Sequence, residues 1–281
     1  MKVIKDITNM SEWSRFQKKN GKKIGFIPTM GYLHKGHLSL ARKAKKECDV
    51  VVMSIFVNPI QFGPKEDFKR YPRDFERDCN LAKSIGVDLI FYPEAKKMYP
   101  KNFLTYINAE ELTETLCGKS RPTHFKGVTT VVAKLFNIVQ PDIAYFGQKD
   151  AQQAIIIKKM VEDLNFPLKI KIMPTIREKD GLAMSSRNAY LSKTERKDAT
   201  IIYEALRSAK KLILSGELNT DVVKSYIKKL LGKKKSIKID YIEIVDAKNL
   251  KKLKKFSRKA LIAIAVFLGK TRLIDNITVI V

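Results

Sequence analysis

Two of the chain's three histidines, His34 and His37, stand three apart in Ile27-Pro28-Thr29-Met30-Gly31-Tyr32-Leu33-His34-Lys35-Gly36-His37. A β-rich apolar run precedes this stretch and a helical pattern with Leu38, Leu40 and Ala41 follows it, so both imidazoles are expected at a helix N-terminus. Such an end offers unpaired backbone N–H groups and the positive pole of the helix dipole, where anions collect; imidazole N–H donors add directed hydrogen bonds to phosphate oxygens. Gly36 is expected to keep bulk away from an incoming phosphate. Simple packing of the two rings is the plainer alternative, and a metal site lacks a third nearby ligand.

A second constellation, Phe146-Gly147-Gln148-Lys149-Asp150-Ala151-Gln152-Gln153, again falls between a strand end and a helix start. Lys149 offers a point charge for a phosphate or carboxylate, an acid such as Asp150 can hold ribose hydroxyls or cap the helix, and the glutamines suit a polar substrate. The third, Gly181-Leu182-Ala183-Met184-Ser185-Ser186-Arg187-Asn188, joins hydroxyls to a guanidinium on a small-residue loop. It can close over a triphosphate, or merely cap the next helix. Asn58 and Gln61 in Phe56-Val57-Asn58-Pro59-Ile60-Gln61-Phe62 put amides at another strand end, and Arg121-Pro122-Thr123-His124-Phe125-Lys126-Gly127 sets the remaining histidine beside an arginine.

Elements that could hold these loops alternate in βαβ rhythm to about residue 175. Strands are expected at residues 23–28, 49–57, 87–92, 142–146 and 169–173, with helices starting near Gly36, Asp74, His124 and Asp150. The reading is α/β: a doubly wound parallel sheet domain over residues 1–175, which binds ligands outside its strands' carboxyl ends. After the polar turn Glu178-Lys179-Asp180-Gly181, two helices and neighbouring strands at 237–245, 260–268 and 273–281 predict a smaller C-terminal α+β domain over residues 176–281. The turn Gly269-Lys270 between the last two strands points to an antiparallel sheet.

Composition narrows the classes. The opening residues lack a signal-peptide apolar stretch and no apolar run nears the roughly 20 residues of a membrane span, so a cytoplasmic protein with no membrane partner is expected. Cys48, Cys79 and Cys117 are scattered singly, which indicates neither disulfides nor a thiolate metal site. The net charge of 55 − 29 = +26 suits a polyanion partner. Yet Lys233-Lys234-Lys235 and Lys251-Lys252-Leu253-Lys254-Lys255 lack the interleaved aromatics of a nucleic-acid platform, so a pull on nucleotides is preferred to nucleic-acid binding. Gly118-Lys119-Ser120 looks like the end of a P-loop, but Thr113 stands where its first glycine must be, and no G-x-G-x-x-G occurs.

His34-Lys35-Gly36-His37 and Met184-Ser185-Ser186-Arg187 resemble the two signatures of the nucleotidyltransferases related to class I aminoacyl-tRNA synthetases. The five longer strings together, in the same order and over nearly the whole chain, resemble the pantothenate synthetase family. That resemblance implies a Rossmann-like fold and ATP-dependent joining of pantoate to β-alanine through a pantoyl adenylate, with Mg²⁺, in a homodimer. It implies that His34, His37, Lys149, Ser185, Ser186 and Arg187 attend the ATP phosphates and that Gly147 and Asp150 hold the ribose, with Pro28, Met30 and Met184 also in the ATP site. It further implies that Gln61 and Gln153 bind pantoate, that Met30 and Asn58 line the same pocket, and that Arg121 and His124 lie near the substrates. The rivals are another adenylyltransferase of the same superfamily and a basic nucleic-acid-binding protein.

Overall fold

Successive residues of a strand face opposite sides of the sheet, and in the central strands both sides are apolar. Ile24, Phe26, Val52, Leu89 and Phe91 belong to one core layer, whereas Ile27, Val51, Met53, Ile55 and Ile90 belong to another. Strands of that kind need helices on both faces. The computed structural model, which describes residues 1–64 and 66–281, has that arrangement. Its first part runs β1 (Lys2–Ile4), α1 (Ile7–Lys19), β2 (Ile24–Thr29), α2 (Lys35–Lys45), β3 (Val50–Ile55), α3 (Phe75–Ser84), β4 (Leu89–Phe91), α4 (Ala95–Met98), α5 (Leu116–Ser120), α6 (His124–Val139), β5 (Ile143–Gly147), α7 (Ala151–Asp163) and β6 (Lys169–Met173). The six strands pair in parallel in the order β1-β4-β3-β2-β5-β6. Helices α1, α6 and α7 cover the Phe26 face, and α2 and α3 cover the Ile27 face. Strand β1 and helix α1 were not among the expected elements, because β1 is three residues long and acquires its partner only from β4.

The later part contains α8 (Lys193–Asp198), α9 (Ile201–Leu214), α10 (Thr220–Leu231) and the antiparallel β7 (Ile237–Asp246), β8 (Lys259–Leu268) and β9 (Thr271–Ile280). Three helices stand where two were expected, since Ser192 and Glu195 form a capping box that starts the short α8 separately. On β8 the alternation again divides the work. Ile262, Ile264 and Val266 pack with α9 and α10, while Leu261 and Ala263 pack with Leu116 and Ala151 at the starts of α5 and α7. The small sheet thereby leans on the carboxyl edge of the large one. Cys48, Cys79 and Cys117 are free thiols. Among the described residues no helix is long and apolar enough to cross a membrane.

One close approach in the large sheet positions the site. Helix α6 lies against the 3₁₀ turn Pro59–Gln61, and a Cβ on Gly127 would come within 2.6 Å of Gln61 Cα and of the Ile60 carbonyl oxygen. Both obstacles are backbone, so neither can swing aside. Gly127→Ala should therefore destabilise the fold by about 1 to 3 kcal/mol through overpacking. Urea unfolding measures this, and a parental midpoint would show that α6 and the turn can separate freely.

Candidate active site

Strands β2 and β5 are neighbours in the sheet but not in the chain, and their following strands lie on opposite sides of them. The crevice outside their carboxyl ends is the place where a doubly wound sheet receives ligands. There the loop after β2 delivers His34 and His37, and the turn after β5 delivers Lys149 and Asp150. A cleft of about 520 Å³ opens at that point. Pro28, Met30, His34, His37, Gly147, Lys149 and Asp150 line it, as do Met184, Ser185, Ser186 and Arg187. Asn58, Gln61, Arg121, His124 and Gln153 line the same cleft. Every site position expected from sequence is thus on one surface.

The two histidines are organised by the needs of α2. His34 is its N-cap, and its Nδ1 accepts from Gly36 N at 3.1 Å, while His37 Nδ1 accepts from His34 N at 3.3 Å. The rings stack with centroids 4.0 Å apart. Because both Nδ1 atoms accept, the neutral tautomer carries its proton on Nε2, which leaves each ring one donor for a ligand. Burial, followed by the charge of Lys149, brings His34 down to about 4. Burial, then His34, then Lys149 hold His37 well below the ordinary imidazole range. Both rings are neutral near pH 7. Gly36 also serves the fold: a Cβ there would lie 2.8 Å from the His34 ring, so the glycine makes room for the folded-back imidazole.

The loop between β2 and α2 is held from below by a residue that sequence reasoning missed. Asp78 on α3, 1% exposed, accepts from Tyr32 N at 2.6 Å and Leu33 N at 2.7 Å. Its only sequence signal is an acid on the apolar side of a helix, and its partners lie more than 40 residues away. Ser186 bridges in from the other side, donating to Tyr32 O at 3.1 Å. Ser185 caps the following turn by accepting from Arg187 N, so its hydroxyl proton is available to a ligand.

Arg187 and Arg121 are both paired. Arg187 makes two bonds to Asp67, at 2.8 and 2.9 Å, and Arg121 makes two to Glu66. These acids lie on the segment after Phe62 and were not anticipated. Lys149 Nζ donates to Asp150 Oδ1 at 3.3 Å, and Asp150 stands at the N-cap position of α7 without capping it. A Cβ on Gly147 would meet nothing within 4 Å, so the open space beside it is not required by packing.

At the other end of the cleft, Asn58 is 1% exposed and fully engaged. Its Nδ2 donates to Gln61 Oε1 and Gly127 O, and its Oδ1 accepts from Tyr99. Asn58 thus orients Gln61, whose Nε2 lies 2.9 Å from the Met30 sulfur. Of the adjacent glutamines, Gln152 turns away to hold Leu112, Thr115 and Cys117, and Gln153 is the one with room for a ligand. His124 Nδ1 lies 2.9 Å from Gln61 O. A carbonyl only accepts, so Nδ1 carries the proton and Nε2 is the ring's acceptor. Among the described residues no three His, Cys, Asp or Glu side chains converge as a metal cage.

Burial first, and Arg121 second, lower His124 to about 3. In an unfolded chain the ring binds its proton near pH 6.5, so below that value the unfolded state holds more protons and stability falls as pH falls. Between about pH 7.5 and about pH 5 this one ring should remove about 2 kcal/mol. Urea unfolding at both pH values checks it: His124→Gln should lose that share of the dependence, and an unchanged dependence would place the protonation elsewhere.

Residues 2–278 match the family profile described as pantoate-beta-alanine ligase. A pantothenate synthetase of Caldicellulosiruptor saccharolyticus is 58% identical, covering 99% of each chain. The solved pantothenate synthetase of Thermus thermophilus superposes with a TM-score of 0.93 at 42% identity, covering 99% of each chain. The ligase of Francisella tularensis, solved with "Beta-gamma ATP and Beta-alanine", gives 0.81 at 38% identity over 99% of this chain and 97% of that one. A full-length profile match and these identities make the chain a member of the pantoate–β-alanine ligase family.

Proposed function

We propose that this cleft condenses pantoate with β-alanine at the expense of ATP, by way of an enzyme-bound pantoyl adenylate. The observation that carries the reading is the meeting of two donor-rich turns, His34–His37 and Gly147–Asp150, at the switch point of the parallel sheet. A carboxylate and an ammonium form a salt in water, so the acid needs a better leaving group before an amide can form. Pantoate's carboxylate is already ionised near pH 7 and attacks the α-phosphorus without a general base. The bond from that phosphorus to pyrophosphate breaks. The free amine of β-alanine then attacks the acyl carbon, AMP leaves with the electrons of the acyl–oxygen bond, and the amine loses a proton.

The residues follow that sequence. His34 and His37 present Nε2–H donors to the triphosphate, and Lys149 adds a charge. Ser185 and Ser186 approach from the opposite wall. Arg187 exchanges its carboxylate partner for phosphate oxygens, a like-for-like geometry for a guanidinium. Gly147 leaves space for the ribose and Asp150 accepts from its hydroxyls, while Pro28, Met30 and Met184 contact the nucleotide. Gln61 and Gln153 bind the hydroxyls of pantoate, with Met30 in the wall and Asn58 acting through Gln61. Arg121 and His124 sit at this end, where the His124 acceptor suits a hydroxyl or an ammonium. Glu66 and Asp67 are engaged by arginines, so Mg²⁺ is assigned here to the substrate, arriving on ATP with its own waters. Residues 176–281 act as the small domain that covers the reactive anhydride. A cytoplasmic homodimer follows from the family resemblance.

If activation precedes amide formation, pantoate alone will support exchange of labelled pyrophosphate into ATP. Exchange that required β-alanine would contradict that order, and none under any condition would overturn the reading.

Gln61→Ala and Gln153→Ala should chiefly weaken pantoate use, because each deletion leaves substrate hydroxyls unpaired at about 1 to 3 kcal/mol. The Michaelis constant for ATP should move much less. A loss confined to ATP would take the glutamines out of the acid pocket.

A further inference from the structure

Strand β9 runs antiparallel to β8 along its whole length, from Thr271 opposite Leu268 to Ile280 opposite Lys259. Midway along this stiff element stand two polar residues, Asp275 and Asn276, only 3% and 5% exposed. The Asn276 amide is fully engaged across the cleft. Its Nδ2 donates to the carbonyl oxygens of Gln148 at 3.0 Å and Lys149 at 2.9 Å, and its Oδ1 accepts from Gln148 Nε2 at 3.1 Å. Asp275 accepts from Arg177 Nη1 at 2.6 Å and Nη2 at 3.0 Å. Arg177 in turn donates to Gly181 O at 3.1 Å and lies 3.6 Å from the centre of the Tyr203 ring. One dipeptide therefore grips both the turn that carries Lys149 and the start of the segment that leads to Ser185 and Arg187.

We propose that Asn276, braced by Asp275 and Arg177, is a positioning residue that fixes Lys149 against the phosphate-binding wall during adenylate formation. The proposal rests on the adenylylation reading above. Asn276 touches no reacting group; it acts through two backbone carbonyls. The turn needs such a grip because it has little support of its own. Gly147 has open space on one side, and Asp150 does not cap the helix that follows. A carbonyl pair held by one amide fixes both the height and the rotation of the turn, and with them the root of the Lys149 side chain. The chemical identity of the amide matters. An aspartate of the same shape would point a carboxylate at two carbonyl oxygens and push the turn away.

The test is pantoate-dependent pyrophosphate exchange by purified Asn276→Ala and Asn276→Asp, with circular dichroism and thermal unfolding alongside. The maximal rate should fall by about tenfold to a hundredfold, the effect of a displacement of about 1 Å in a reacting geometry, while the Michaelis constant for pantoate stays within about twofold. The decisive readout is coupling. In a Lys149→Ala background the Asn276 substitutions should cost almost nothing more, since the group they position is gone. Asn276→Ala, smaller and uncharged, supplies the measurement if the buried carboxylate of Asn276→Asp prevents folding. A folded Asn276→Asp that exchanges at the parental rate, or losses that multiply in the double variant, would overturn the proposal and leave the adenylylation reading intact. A parental enzyme with no exchange activity would overturn both.

Discussion

The first turn of α2 has backbone N–H groups that need acceptors, and two histidine Nδ1 atoms supply them. Much of the site follows from that choice. It forces the protons of both rings onto Nε2, and it folds the His34 ring back over position 36, where only glycine leaves room. It also requires the preceding loop to hold a tight path. Asp78 secures that path by accepting from two successive N–H groups, and Ser186 ties it to the far wall. A helix that capped itself with aspartate would be as stable, but would present no outward donor.

Charge in the cleft is arranged before any ligand arrives. Arg121, Arg187 and Lys149 each face a carboxylate, from Glu66, Asp67 and Asp150. These acids hold the cations in place, so that on the proposed reading ligand binding exchanges one anion for another and needs little reorganisation. These three cations are thus matched by acids, and the chain's excess of +26 is not what organises them.

The legible part of the molecule was the part written locally. The strand, shaped loop and helix start around His34 sit within a dozen residues, as do Gly147 to Gln153, and apolar alternation with glycine and proline punctuation marks them directly. Asp78, Glu66, Asp67 and Asn276 are different. Each does its work on a partner between 45 and 128 residues away, so its own neighbourhood shows only an ordinary polar residue in a helix, loop or strand. Likewise β1 becomes a strand only because β4 lies beside it. The lysine-rich surroundings of the last three strands further masked Asp275 and Asn276, although β9 touches the same cleft as the histidines.

On the adenylylation reading proposed above, the neutrality of the histidines has a kinetic logic. A full charge about 4 Å from a phosphate oxygen is worth about 4 kcal/mol at the effective dielectric of a partly buried site, whereas a neutral hydrogen bond nets about 1 kcal/mol. Imidazolium rings would hold ATP and departing pyrophosphate alike, and binding common to ground state, transition state and product does not speed the chemical step. Neutral Nε2–H donors can instead follow charge as it moves from the α-phosphate toward the leaving group. On that reading the fixed cations, Lys149 and Arg187, supply the strong attraction, and both are tethered to carboxylates that can take them back when pyrophosphate leaves. On the same reading burial, by keeping both rings uncharged, serves turnover as much as affinity.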